Sequence, residues 1–147
     1  MNFKRHIEKH LTNWKESKNR KPLILRGARQ VGKTTLIKEF SETYKKSILL
    51  NLEKPSELRF FQDYEDVKTI TQALFLKFNI STKETANTLL FIDEIQESPK
   101  AIQLLRYFFE EIPELHVIAA GSLLEFALEK VDSFPVGRVE FIYLHPL

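Results

Sequence analysis

The stretch with the most chemistry in it is Gly27-Ala28-Arg29-Gln30-Val31-Gly32-Lys33-Thr34, which fills the pattern G-x-x-x-x-G-K-[ST] completely. The spacing suits one task. A strand must deliver the chain to a wide loop whose backbone N–H groups converge on one anion. Gly27 and Gly32 permit the backbone angles and the close approach this requires. The helix after the loop aims its positive end at the same point. Lys33 is placed to neutralise terminal phosphates, and the Thr34 hydroxyl, with Thr35 beside it, to meet a hydrated Mg²⁺. We expect Lys33 on a solvated part of the loop.

A second constellation lies downstream. Leu89-Leu90-Phe91-Ile92 is a continuous apolar run ending in Asp93-Glu94. If the run is a buried strand, its two carboxylates emerge at the carboxyl edge of a sheet, where α/β proteins bind ligands. Asp93 then suits the Mg²⁺ shell, and Glu94 suits orienting and deprotonating an attacking water. The plainer alternative is that both acids are only solvated or cap the next helix. Two further residues are candidates. Ser122 comes just after the apolar run Val117–Ala120 and could bond phosphate or water, or simply cap the next helix. Arg138 could stabilise charge in phosphoryl transfer, or serve as an ordinary ion-pair residue.

These residues need a scaffold of alternating strands and helices, and the sequence supplies one. Short apolar runs at Leu23–Leu25, Ile48–Leu52, Leu89–Ile92, Val117–Ala120 and Val139–Leu144 read as strands buried on both faces. Helical periodicity lies between them. Thr34–Tyr44 carries Leu36, Ile37, Phe40 and Tyr44 on one face. Ser56–Tyr64 has Ser56 as a candidate cap. Val67, Ile70, Leu74 and Phe78 mark another helix, and Ile102, Leu105, Phe108 and Phe109 a further one that Pro99 could start. Ser81–Asn87 reads as a polar loop, and Ser122–Lys130 as a short helix. Ahead of all this, Phe3, Ile7, Leu11 and Trp14 predict an amphipathic helix over about residues 3–19, closed by Pro22. The expectation is α/β, a three-layer sandwich around a mostly parallel sheet of about five strands.

Composition sets outer limits. A chain of 147 residues, 43 % hydrophobic and 29 % charged, is one ordinary globular domain with enough material for a core. It has no cysteine, which removes disulfides and thiolate metal sites. The net charge of +2 gives no support for a nucleic-acid partner. Charged residues interrupt the N-terminal segment, and no run approaches the roughly 20 apolar residues of a membrane span. We therefore expect a cytoplasmic protein with no membrane partner.

Taken together, Leu25–Leu36, Phe91–Gln96, Ala120-Gly121-Ser122 and Gly137-Arg138-Val139-Glu140 resemble the prokaryotic AAA-type ATPases that carry a C-terminal domain of unknown function. The resemblance covers essentially the whole chain. It implies an additional-strand P-loop fold with strand order 5-1-4-3-2. It implies ATP and Mg²⁺ as ligands, bound by Gly27 to Thr35, with Lys33, Thr34, Asp93 and Glu94 in the roles already assigned to them. It adds Ser122 as the polar residue of the fourth strand and Arg138 as the arginine after it. Members of that group continue past the segment resembling Tyr143–Leu147 into further helices and a second domain, so residues 1–147 are expected to be the ATPase core. Two readings of function stay open: an ATPase that drives a conformational change, and a nucleotide-dependent binding module with negligible hydrolysis. A small-molecule kinase would need an arginine-rich lid, and the sequence offers none. A protein partner or self-association is expected, its identity unreadable.

Overall fold

The computed structural model describes residues 3–27, 32–121 and 137–144. Its elements, in chain order, are α1 (Phe3–Glu16), β1 (Leu23–Gly27), α2 (Lys33–Ser41), β2 (Lys46–Asn51), α3 (Pro55–Asp63), α4 (Val67–Lys77), β3 (Thr88–Asp93), α5 (Pro99–Glu111), β4 (His116–Ala120) and β5 (Glu140–Leu144). The strands form one five-stranded sheet in the order β2-β3-β4-β1-β5, every pair parallel. Read from the other edge this is 5-1-4-3-2, the order the resemblance implied.

Both faces of the central strands β1, β3 and β4 are buried, which is why they read as unbroken apolar runs. The edge strands depart from the expectation: Lys46 and Ser47 of β2 and Phe141 and Tyr143 of β5 are exposed, because an edge strand is covered on fewer sides. Alternate residues serve opposite layers. Ile24, Ile48, Leu50, Leu90, Ile92 and Val117 pack with α3, α4 and α5. Leu23, Leu25, Leu89, Phe91 and Ile118 pack with α1 and α2. The apolar stripe of α1, Ile7, Leu11 and Trp14, is buried as its periodicity predicted. Among the described residues no helix is long and apolar enough to cross a membrane.

Several boundaries differ from expectation for local reasons. α1 ends at Glu16, ahead of the polar run. α2 ends at Ser41 instead of Tyr44, because the Ser41 and Thr43 hydroxyls donate back to the carbonyls of Lys38 and Phe40 at 2.6 and 2.8 Å. Ser56 is not the cap of α3. Pro55 occupies the first helical position, where its fixed φ and missing N–H cost nothing, and Lys54 is the flanking residue. Ser81–Asn87 is not plain loop: Thr82–Asn87 form a 3₁₀ helix whose start is capped by Ser81 Oγ, which accepts from the Lys83 N–H at 3.2 Å. The helix expected over Ser122–Lys130 lies outside the described residues.

Candidate functional site

Because all five strands are parallel, their carboxyl ends share one edge, and the two sequence constellations meet there. β1 ends at Gly27 with φ 147°. A Cβ at this position would lie 2.5 Å from the Leu144 carbonyl oxygen of β5, so the close approach of the two strands demands glycine. At the far end of the loop, Gly32 (φ 79°, ψ 25°) turns the chain into α2, and its carbonyl accepts from the Leu36 N–H at 3.0 Å. Ala28, Arg29, Gln30 and Val31 lie outside the described residues.

Lys33 is not on a solvated stretch. It is the first residue of α2 and only 8 % exposed. Its ammonium donates to the carbonyls of Gly27 at 2.9 Å and Gly121 at 3.3 Å. It thereby ties the start of the helix to the ends of β1 and β4. Thr34 and Thr35 come next on the first turn, both exposed.

β3 brings Asp93 to the same place. The Thr34 hydroxyl donates to Asp93 Oδ2 at 2.6 Å, and Asp93 Oδ1 accepts from the Glu94 N–H at 2.9 Å. Glu94 has a left-handed backbone, φ 53° and ψ 45°. For a residue with a Cβ this costs about 1–2 kcal/mol, and it ends the strand abruptly. Packing and capping in the next turn offset that cost: Ile95 is fully buried, and Ser98 Oγ caps α5 by accepting from the Ala101 N–H at 3.0 Å. Gln96 Nε2 donates to Glu94 Oε2 at 3.4 Å.

The site has a second wall that sequence reasoning missed. Asn51, the last residue of β2, is the register partner of Asp93, and the Leu52 N–H donates to the Asp93 carbonyl at 3.0 Å. Thr34, Lys38, Asn51, Lys54, Glu57 and Asp93 line a cleft of about 170 Å³, floored by Leu49, Leu50 and Phe91. The available signal was the one that marked Asp93: a polar residue at the carboxyl end of an apolar strand.

Arg138 stands elsewhere. Its Nε donates to Glu110 Oε1 at 3.1 Å, and Arg106 makes the same contact from one turn earlier on α5. Glu110 is held below the usual carboxylate range by hydrogen bonds from Arg106 and then Arg138. Strand register shows which edge this is. Arg138 precedes Glu140, and Glu140 pairs with Leu23 at the amino end of β1. From there to Gly27 the sheet runs about 13 Å at roughly 3.3 Å per residue. Arg138 is thus at the edge opposite Lys33 and Asp93 in its own chain, the ion-pair alternative in a place where it cannot reach the same chain's phosphate loop. Arg26, beside the loop, lies over the Phe141 ring at 5.0 Å. Ser122 lies outside the described residues.

The donor set fits a hydrated Mg²⁺ bound together with phosphate oxygens: one carboxylate and one hydroxyl, converging beside a buried ammonium. None of the curated proteins matches this chain. The sequence pattern of a family described as AAA domain matches residues 19–147, and the chain belongs to that family.

Proposed function

We propose that the chain binds ATP with Mg²⁺ and cleaves the β–γ phosphate bond to drive a conformational change. The observation that carries this reading is the 2.6 Å bond between Thr34 and Asp93, which joins the phosphate-binding segment to the acidic strand end. Gly27 to Thr35 form the phosphate cradle, with the Lys33 ammonium exchanging its carbonyl partners for phosphate oxygens. Thr34 and Asp93 hold the cation, which when bound supplies positive charge against the phosphates. Glu94, one residue past Asp93, accepts the proton of the attacking water. Ser122 is the polar group near the terminal phosphate.

A specific observation favours the alternative, a nucleotide-dependent binding module with negligible hydrolysis. Arg138 pairs with Glu110 at the far edge and is not available to its own chain's terminal phosphate. Arginine-assisted hydrolysis would then need a second copy or a protein partner. The deciding experiment pairs calorimetry with a phosphate-release assay on the parent and on Glu94→Gln. Under the ATPase reading both bind ATP, and only the parent releases phosphate. If the parent binds ATP but releases phosphate no faster than Glu94→Gln, the switch reading replaces it.

A further inference from the structure

The cleft between α2 and the end of β2 has a wall of its own chemistry. Thr34 and Asp93 line it at the phosphate-loop end. Lys38, one turn further along α2, and Asn51, Lys54 and Glu57, from the end of β2 and the start of α3, complete the lining. Resting on the nucleotide reading, we propose that this cleft is an anion subsite that receives orthophosphate, the product of cleavage, with Lys38, Asn51 and Lys54 as its donors.

The hydrogen bonds already made show which groups are committed. Glu57 Oε1 accepts from the Asn51 N–H at 3.0 Å, and Glu57 Oε2 lies 3.8 Å from Lys54 Nζ. Glu57 is therefore engaged in holding the turn from β2 to α3. The Asn51 side-chain oxygen accepts from the Glu53 N–H at 2.9 Å, which fixes the orientation of the amide. What Asn51 has left to offer is its NH₂ group, a donor pair. Lys38 sits one turn after Thr34 on α2, and among the described residues no carboxylate pairs with it. The cleft thus holds two ammonium groups and an amide donor, with Glu57 set partly against Lys54.

Asp93 decides when an anion can enter. As a bare carboxylate on the cleft wall it repels phosphate. With a divalent cation on Asp93 and Thr34 the wall changes sign, and Lys38 and Lys54 face a ligand that the cation attracts from the other side. Phosphate entry is therefore coupled to the cation. The position is also separate from Lys33, whose ammonium is turned toward Gly27 and Gly121. A phosphate leaving the nucleotide has a second cationic station, reached along the metal wall and away from the phosphate loop.

The test is a titration of the full chain with inorganic phosphate in the presence of Mg²⁺, tracked residue by residue by NMR. The expected result is saturable shifts of the Asn51 side-chain amide and of the Lys38 and Lys54 signals, weakened about tenfold or more in Lys38→Ala/Lys54→Ala and weakened again without Mg²⁺. Both lysines are exposed, so the double variant keeps its fold, which its unchanged dispersed spectrum verifies. Asn51→Asp, which exchanges the amide donor for a carboxylate, should weaken phosphate in the same way. Shifts confined to Gly32–Thr34, or an unchanged affinity in the double variant, overturn the subsite. A separate ATP titration of the parent reports on the nucleotide reading alone, so loss of one result does not imply loss of the other.

Discussion

The Thr34 hydroxyl donates to Asp93 Oδ2 at 2.6 Å across 59 residues of sequence, from the first turn of α2 to the end of β3. Neither residue alone makes a cation site, but together they present two oxygens at one point. If that point holds Mg²⁺, Thr34→Ala should weaken ATP binding in Mg²⁺ by about tenfold, equivalent to roughly 1.4 kcal/mol. Binding of ATP without Mg²⁺ should change far less. Thr34→Ser, which returns the hydroxyl, should restore the Mg²⁺ dependence, and Asp93→Asn should reduce it. Calorimetry with and without Mg²⁺ makes the comparison. A serine variant as weak as the alanine variant would remove the hydroxyl from the cation site.

Gly27 is held by β5 as much as by any ligand. Its φ of 147° and the 2.5 Å separation of a would-be Cβ from the Leu144 carbonyl leave no room for a side chain. The obstacle is backbone, which cannot rotate away. Gly27→Ala should therefore lose about 1–3 kcal/mol of stability from overpacking, seen as a lower urea midpoint. It should also weaken nucleotide binding, since β1 must shift where the loop begins. Gly32 tests the opposite case: among the described residues a Cβ there meets nothing within 4 Å. Its replacement should act through the left-handed backbone, at a cost of about 1–2 kcal/mol.

Much of this was legible in the sequence, for a physical reason. Strands buried on both faces announce themselves as apolar runs, and the loop Gly27 to Thr34 announces a strand before it and a helix after it. Parallel pairing then brings Asp93 to the loop, since every strand ends at the same edge. The features that stayed hidden depend on register and on distant packing. Arg138 was a candidate for its residue type and its place after β4 in sequence, but β5 begins again at the amino edge. Lys33 looked solvated because its loop is polar, yet the carbonyls of Gly27, at the end of β1, and Gly121, just past β4, accept from its ammonium. Asn51 was read as part of a strand, and only its pairing with Asp93 makes it a wall of the cleft.

The placement of Arg138 gives a prediction of its own. Arg138→Ala removes an ion pair to Glu110 at the edge opposite the phosphate loop, where Arg106 still satisfies the same carboxylate. Exposed pairs of this kind contribute little to stability. ATP affinity should stay within about twofold of the parent, a difference of roughly 0.4 kcal/mol. If hydrolysis by the purified chain depends on Arg138, with no protein partner present, a second copy supplies the arginine, and the parent's specific activity should then rise with protein concentration. A tenfold loss of ATP affinity in the variant at high dilution would contradict the placement.

Acid should weaken this fold through one histidine. His116, the first residue of β4, is 6 % exposed, and its Nδ1 is hydrogen-bonded to the Tyr44 hydroxyl at 2.5 Å. Trp14 of α1 meets the imidazole edge-on, with ring centroids 5.7 Å apart. Lys15 lies over the Tyr44 ring, and Arg20 donates to the carbonyls of Lys15 and Pro113 close by. Burial first, then the positive charges of Arg20 and Lys15, lower the His116 pKa from 6.5 to about 3. The folded chain thus refuses a proton that the unfolded chain accepts below pH 6.5. The neutral imidazole's contribution is fully present above that pH and is lost progressively as the pH falls toward 3. Between pH 7 and pH 5 one such group costs about 2 kcal/mol, approaching roughly 1.4 kcal/mol per pH unit at the acid end. The carboxylates held below their usual range, Asp66, Glu84 and Glu110, enter only below their unfolded values of 3.8 to 4.5. The interval from pH 6.5 to 5 therefore isolates His116. His116→Asn keeps a hydrogen-bonding group toward Tyr44 but cannot titrate. Urea unfolding at a series of pH values should show the parent losing stability across this interval and the variant nearly flat. Equal slopes in the two proteins would mean that His116 takes up its proton without unfolding the junction between α1, α2 and β4.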